Sequence, residues 1–514
     1  MSSSFHDISS NKDNANQYVT VISVDYPTQP IFPPEQYSDY IQHYREDNVN
    51  SNQMQSELSM KTTMKSMSRD LTNTSSNSNN SGNNYETFVY SRESSPLCVY
   101  LLDDTVVQIN IEDAPNTTSA EIMQVMLSEK ELALPGQARN VFAAWLKSGL
   151  LEVQLKPRQK PLEIYSRWQV LLARYAHASL PRQQRDQPIL SFQRNTMLQL
   201  KDEMVIKDHR ILDLLYAEAR HNILEGRYPC DSSHYYMLGG IQARIELGSY
   251  NPSLHSSKFF RDNQDQFLPI HMRRGMIQSW FPKFSSKKSS PEVCLLEHYQ
   301  KIPSNSTERK LTKKYLEFCW SLPYYGCAFF QGQIEMPVRG LTSLITHQDK
   351  PVLLGVNHNG LFLIDNQRAS LLLSLSYEEF SWDLGIPAAS QQDNPDCMSC
   401  IFLQFLVLEN GTRVSKILQV FSKQARMIDS LISGFVDNIK SKKNLGVNNK
   451  NQDEGTMVDG LATSHEDSSS QLHTVPPPII SAPRLSNKLS KLTLATFDEQ
   501  GRCIGKMGSW SFSY

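Results

Sequence analysis

Few groupings in this 514-residue chain have the residue types and spacing of a chemical site. Cys397-Met398-Ser399-Cys400 has the spacing of a zinc or redox pair. A structural zinc needs two further ligands. The nearest histidines, His347 and His358, form no second pair, and there is no second CxxC. A redox pair follows a strand and opens a helix, whereas this one precedes a strand-like run. Gly501-Arg502-Cys503-Ile504-Gly505-Lys506 is one residue short of a phosphate loop between its glycines. It is followed by Met507 where a hydroxyl residue is required. There is no Cys-x5-Arg cradle, kinase glycine loop or nucleophile elbow. No catalytic, cofactor-binding or metal-ligating residue is assigned, and the chain is expected not to be an enzyme.

The remaining candidates are binding features. Phe380 and Trp382 flank Ser381 in a strand-like run, so alternation puts both rings on one face. They either line a groove that takes an extended peptide as an added strand, or both belong to the core. Lys156, Arg158 and Lys160, interleaved with Pro157 and Pro161, either touch anionic lipid headgroups, at about 1 kcal/mol per cation, or form a solvated loop. Pro30-Ile31-Phe32-Pro33 and Pro476-Pro477-Pro478 either offer polyproline II ligands or act as linkers.

Bulk properties exclude several classes. Lys and Arg total 51 against 53 Asp and Glu, a net charge of −2, so no field for nucleic acid is expected. The 8 cysteines lie mostly inside apolar runs and read as reduced, buried thiols. The opening Met1-Ser2-Ser3-Ser4-Phe5 carries neither secretory nor myristoyl signals, and no Cys stands four from the end. No run is long and apolar enough for a spanning helix. A cytoplasmic protein reaching the plasma membrane through partners is expected.

The elements that must position these residues follow from composition and period. Residues 1–96 and 441–514 are rich in Ser, Asn and Pro and are expected to be disordered tails. Between them, residues 97–178 read as β-β-α-β-β-β, a ubiquitin-like order. Leu97–Leu102, Thr105–Ile111, Phe142–Leu146, Leu150–Leu155 and Trp168–Tyr175 are the strands, with a helix capped by Thr117 or Thr118. Residues 179–320 switch to period 3.6, with stripes on His209–Glu225 and on a helix started by an Asn305/Glu308 capping box. Residues 321–440 return to period 2 over seven strands, with a turn at Asn359-Gly360. Ser422 then caps a final helix striped by Ile428, Leu431, Ile432, Phe435 and Ile439.

The segment from Tyr216 to Tyr250 is similar to the central part of the FERM middle lobe. Ile223, Leu224, Gly226, Arg227, Cys230, Leu238, Gln242, Glu246, Leu247, Gly248 and Tyr250 fit that pattern. Leu322-Pro323-Tyr324-Tyr325-Gly326 and Leu353-Leu354-Gly355-Val356 resemble the opening of the third FERM lobe and its first hairpin. The resemblance implies an α+β, three-lobed FERM fold: a ubiquitin-like lobe, an all-α bundle like acyl-CoA-binding protein, and a PH/PTB-like sandwich. The stretches VYLLDDTVV, LLEVQLKP, LPYYGCAFF and SWD resemble a branch of non-catalytic FERM adaptors. That likeness implies binding of cytoplasmic tails of membrane proteins, above all inactive rhomboids in their sheddase complexes. It also implies restraint of Wnt signalling at the Wnt co-receptor complex. An ezrin-like link to the cytoskeleton is the alternative, disfavoured because the chain after Ile439 is Ser- and Pro-rich rather than a long charged helix.

Overall fold

The computed structural model describes residues 19–23, 95–103, 105–111, 113–273, 290–335, 349–387, 397–409, 411–450 and 495–506. Both proline motifs and the Ser/Asn run at 73–84 lie outside them. The chain divides into two compact units, the first running to Gln193 except for Arg174–His177, which group with the second.

The first unit is a mixed sheet backed by short helices. Its strands are β1 (Val19–Ser23), β2 (Ser95–Leu101), β3 (Thr105–Ile111), β4 (Phe142–Lys147), β5 (Glu152–Gln154) and β6 (Ile189–Arg194), in the order β1-β3-β2-β6-β4-β5. The helices are α1 (Ser119–Ser128), α2 (Ala138–Val141), α3 (Pro161–Ser166), α4 (Trp168–Tyr175) and α5 (Leu180–Gln184). Thr118 caps α1 in a full capping box: its hydroxyl accepts from the Glu121 backbone N–H, and the Glu121 carboxylate accepts from that of Thr118 at 2.7 Å. Val107, Ile109, Met126, Leu146, Leu172 and Leu190 form the centre of its core.

Three expectations for this unit are corrected. Trp168–Tyr175 is a helix, not a strand. Trp168 and Leu172 are buried four residues apart while Val170 between them is 68% exposed, a helical and not an alternating pattern. A strand at Ile189–Arg194, read above as part of the helical region, runs parallel to β2 with Val99 opposite Leu190. All its residues after Ile189 are buried, so it shows no alternation. Finally, Val19–Ser23, inside the expected disordered tail, pairs along β3 from Val19 opposite Ile109 to Ser23 opposite Thr105.

The second unit begins as helices: α6 (Leu200–Met204), α7 (His209–Leu224), α8 (Ser232–Leu247), α9 (Ser257–Asp262), α10 (Gln264–Phe267), α11 (Pro291–Gln300) and α12 (Glu308–Trp320). Ala243, Phe260, Phe267, Leu268, Leu295 and Tyr299 pack as one cluster. Asn305 does not cap α12; Thr307 holds the cap position.

A buried polar hub ties these helices to the segment that enters the sandwich. The Arg194 guanidinium donates through Nε to Glu203 Oε2 at 2.6 Å and through its terminal nitrogens to the carbonyls of Asn195 and Leu198. The other Glu203 oxygen accepts from Trp320 Nε1 at 2.8 Å and from the Tyr325 hydroxyl at 2.5 Å. Gly326, with φ +67, closes over Arg194: a Cβ there would sit 2.5 Å from the guanidinium. Asn357 donates to the carbonyls of Pro323 and Tyr325, fixing the same segment from the sheet side.

The sandwich follows: β7 (Ala328–Ile334), β8 (Lys350–Asn357), β9 (Gly360–Asp365), β10 (Ser370–Ser376), β11 (Phe380–Gly385), β12 (Cys400–Glu409) and β13 (Thr412–Phe421), in the order β10-β9-β8-β7-β13-β12-β11. Helix α13 (Ala425–Lys450) closes the core. The Ser422 hydroxyl accepts from the Gln424 N–H and donates to the Gln331 carbonyl, anchoring the helix start to β7. Two further strands, β14 (Ala495–Phe497) and β15 (Cys503–Lys506), lie in the expected disordered C-terminal tail, with β14 on β13 and β15 on β14.

Ile428, Ile432 and Phe435 of α13 are buried in the sandwich core, whereas Leu431 is only partly buried at its margin. Ile432→Asp should therefore cost roughly 3–5 kcal/mol as an unpaired buried carboxylate, and Leu431→Asp only about 1 kcal/mol. Thermal melts of the two variants check this; equal losses would show the helix face to be misplaced. Arg194→Met, which strands Glu203 without its cation, should lower stability by about 3–5 kcal/mol, read by denaturant unfolding.

Candidate peptide-binding site

The site is built on β11, the last strand of the sandwich. Its ladder to β12 runs from Phe380 opposite Phe405 to Gly385 opposite Cys400. Among the described residues, no strand pairs with its other flank. Such an edge leaves backbone donors and acceptors for a further strand.

Phe380 and Trp382 share a face, as alternation requires, but differ in role. Phe380 is 5% exposed and belongs to the core. Its ring lies 6.1 Å from that of Tyr377, which in turn stacks on Phe435 of α13. Burial pushes the Tyr377 phenol pKa up, and its hydroxyl donates a hydrogen bond to the Asn357 carbonyl at 2.5 Å. Trp382 is partly buried, 5.9 Å from Phe380 by ring centroids, and its indole N–H donates to Asp429 Oδ1 on α13 at 2.9 Å. Ser381 and Asp383, on the opposite face, are exposed.

That hydrogen bond fixes which side of α13 meets the β11 edge. At about 100° per residue, Asp429, Ser433, Val436 and Lys440 lie to one side of the Ile428/Ile432/Phe435 stripe, and Met427 and Leu431 to the other. The Asp429 side is the one held to Trp382. Strand edge, indole and this helix flank lie side by side, the arrangement an extended segment would need for backbone pairing on β11 and apolar contact at Trp382 and Val436.

Asp429 was not singled out from sequence. A carboxylate between Ile428 and Ile432 is the signal it offered, but its partner is 47 residues away. The other candidates do not join the groove. Cys400 is buried at the start of β12, burial raises its thiol pKa, and its sulfur accepts from Gln419 Nε2 at 3.2 Å. Among the described residues, no group of three or more His, Cys, Asp or Glu is placed to hold a metal ion. Gly501–Lys506 forms part of a hairpin turn and a strand. Lys156 and Arg158 are exposed, and Lys160 is half-buried and donates to Asn116 Oδ1 at 2.7 Å.

Comparison with known proteins now places the chain. Residues 201–330 match the FERM central domain, and residues 350–431 match the FERM domain C-lobe of the KRIT1/FRMD8 type. FERM domain-containing protein 8 of Xenopus laevis is 37% identical over 348 residues, covering 66% of this chain and 75% of the relative. The Homo sapiens protein of the same name is 33% identical over 427 residues, covering 80% and 87%. The chain belongs to the FERM domain-containing protein 8 family. Its two units are accordingly parts of a multi-lobed FERM fold, and the stretch matching the FERM C-lobe runs from β8 into the first turns of α13. A solved human myosin 7b MyTH4-FERM structure in complex with the harmonin-a PDZ3 domain is also similar, with TM-score 0.44 and 15% identity over 68% of this chain and 60% of that one. No described helix is long and apolar enough to cross a membrane.

Trp382→Phe keeps the packing and removes the donor, so it should cost about 1 kcal/mol. Trp382→Ala, at a half-buried site, should cost about 2–3 kcal/mol. Chemical denaturation of both variants checks the order; a neutral Trp382→Phe would mean that the bond to Asp429 contributes nothing to holding strand and helix together.

Proposed function

We propose that this FERM protein is a non-catalytic adaptor whose C-lobe takes an extended segment from the cytoplasmic tail of a membrane protein along β11. The open β11 edge beside α13, held by the Trp382–Asp429 bond, is the observation that supports this reading most directly. Backbone pairing would supply affinity, and the Trp382 side of the groove would select an apolar side chain at one alternate position. Phe380 acts from beneath, by packing. Family membership favours the tail of an inactive rhomboid as the ligand. The adaptor would then stabilise the rhomboid–sheddase complex at the cell surface and, at the Wnt co-receptor complex, restrain Wnt signalling. Its place is the cytoplasm, with recruitment to the plasma membrane through these partners and at most a weak contribution from Lys156 and Arg158 on anionic lipid.

The test is capture of the full-length protein on an immobilised inactive-rhomboid cytoplasmic tail, with Ser433→Arg as the groove-blocking variant. The arginine would project from the helix flank that faces β11. A loss of affinity of at least tenfold, with an unchanged melting temperature, is the expected result. Equal capture by both proteins would move the ligand away from the groove. No capture by the unaltered protein would remove the rhomboid assignment and leave the general adaptor reading.

A further inference from the structure

The C-lobe has a second strand-adding edge, distinct from the groove. One flank of β13 is paired along its whole length with β12, from Cys400 opposite Phe421 to Glu409 opposite Thr412. On its other flank, among the described residues, β7 reaches it at the pair Phe421 with Gln333. Among the described residues, no other strand of the seven-stranded sandwich pairs with that flank. Its middle is taken by β14, with Ser415 opposite Phe497, Lys416 opposite Thr496 and Ile417 opposite Ala495.

The incoming strand belongs to a preorganised unit. β14 and β15 are joined by a tight turn in which the Asp498 N–H donates to the Arg502 carbonyl at 2.9 Å and the Gly501 N–H donates to the Asp498 carbonyl at 3.0 Å. Gly501 has φ +75, the left-handed position of a three-residue hairpin loop. The Asp498 carboxylate accepts from the backbone N–H of Gln500 and Arg502 and pairs with the Arg502 guanidinium at 2.8 Å. These bonds lie within the hairpin itself, so less ordering remains to be done when it docks. Docking buries Ala495 to 5% exposure.

Between the end of α13 and the hairpin lie 44 residues, 451–494. At ~3.3–3.6 Å per residue such a length reaches up to roughly 150 Å, so chain connectivity alone does not dictate where the hairpin rests. The contact is selected by strand complementarity, with the tether raising the local concentration of the hairpin. We infer that the Ser415–Ile417 flank of β13 is a strand-binding surface whose occupant is this chain's own C-terminal hairpin, Ala495–Lys506, docked in cis. The β13 edge and the β11 groove lie on opposite flanks of the three strands β13-β12-β11, so one lobe carries two separate sites for added strands.

Hydrogen exchange of the full-length protein, read at the amides of Ser415–Ile417, tests this. Thr496→Pro removes a backbone donor from β14, and Gly501→Val disfavours the left-handed turn while leaving β7–β13 untouched. Each variant should exchange at least tenfold faster at those of these amides whose N–H faces β14, with the amides facing β12 unchanged. A synthetic peptide of residues 491–507, added in trans to the Thr496→Pro chain, should bring exchange back to within twofold of the original. Unchanged exchange in both variants would overturn the assignment. So would protection in the unaltered protein that falls on dilution, which would make the occupant the hairpin of a second copy.

Discussion

The second unit depends on one buried ion pair. Arg194 and Glu203 are both almost wholly removed from solvent and meet at 2.6 Å. Desolvating two charges is costly, and the interaction stabilises only when the remaining donors and lone pairs are also satisfied. Here they are: the guanidinium serves two carbonyls as well as the carboxylate, and the carboxylate serves an indole and a phenol. Trp320 ends the helical lobe and Tyr325 leads into the sandwich. One carboxylate oxygen therefore sets the point from which the sheet begins. Gly326 is required there because the guanidinium occupies the space of a Cβ. Whatever binds the C-lobe binds a surface already registered to the helices.

Helix α13 serves the sandwich twice. Its Ile428/Ile432/Phe435 stripe seals the core, and the adjacent flank carries Asp429, which holds Trp382 of β11. The same helix start is pinned by Ser422 to β7. The placing of α13 against β11 is thus inherited from core packing. Trp382 occupies the boundary between the two roles: its ring rests against the core, and its N–H fixes the separation of strand and helix.

Much of this was legible in the sequence. The cap at Thr118, one of the two hydroxyl residues offered, the Asn359-Gly360 turn and the alternation of β12 and β13 each carry their structural cause within a few residues. The Ile428, Ile432 and Phe435 stripe does so as well. The shared face of Phe380 and Trp382 was readable for the same reason. What was not legible has non-local or backbone causes. β6 is central, so burial on both faces erases its period. Trp168–Tyr175 spans barely two turns, too short for period 3.6 to separate from period 2 among Leu and Val. The Asp429 contact spans 47 residues. β1 and the C-terminal hairpin pair with strands far away in sequence, from within stretches whose overall composition is polar.

The parallel pairing of β2 with β6 has a kinetic side. Val99 lies opposite Leu190, so the middle of the first sheet is joined by chain segments 91 positions apart. Local hairpins such as β2–β3 close over short stretches of chain, but the strand between β2 and β4 arrives only after all five helices of this unit have been made. Non-local closure of this kind slows folding. During synthesis the first sheet exists as two halves with an unfilled central slot, flanked by Leu97, Val99 and Leu101 on one side and Phe142, Ala144 and Leu146 on the other. That interval is when a nascent chain of this family is most exposed to mispairing, and when a chaperone has most to protect.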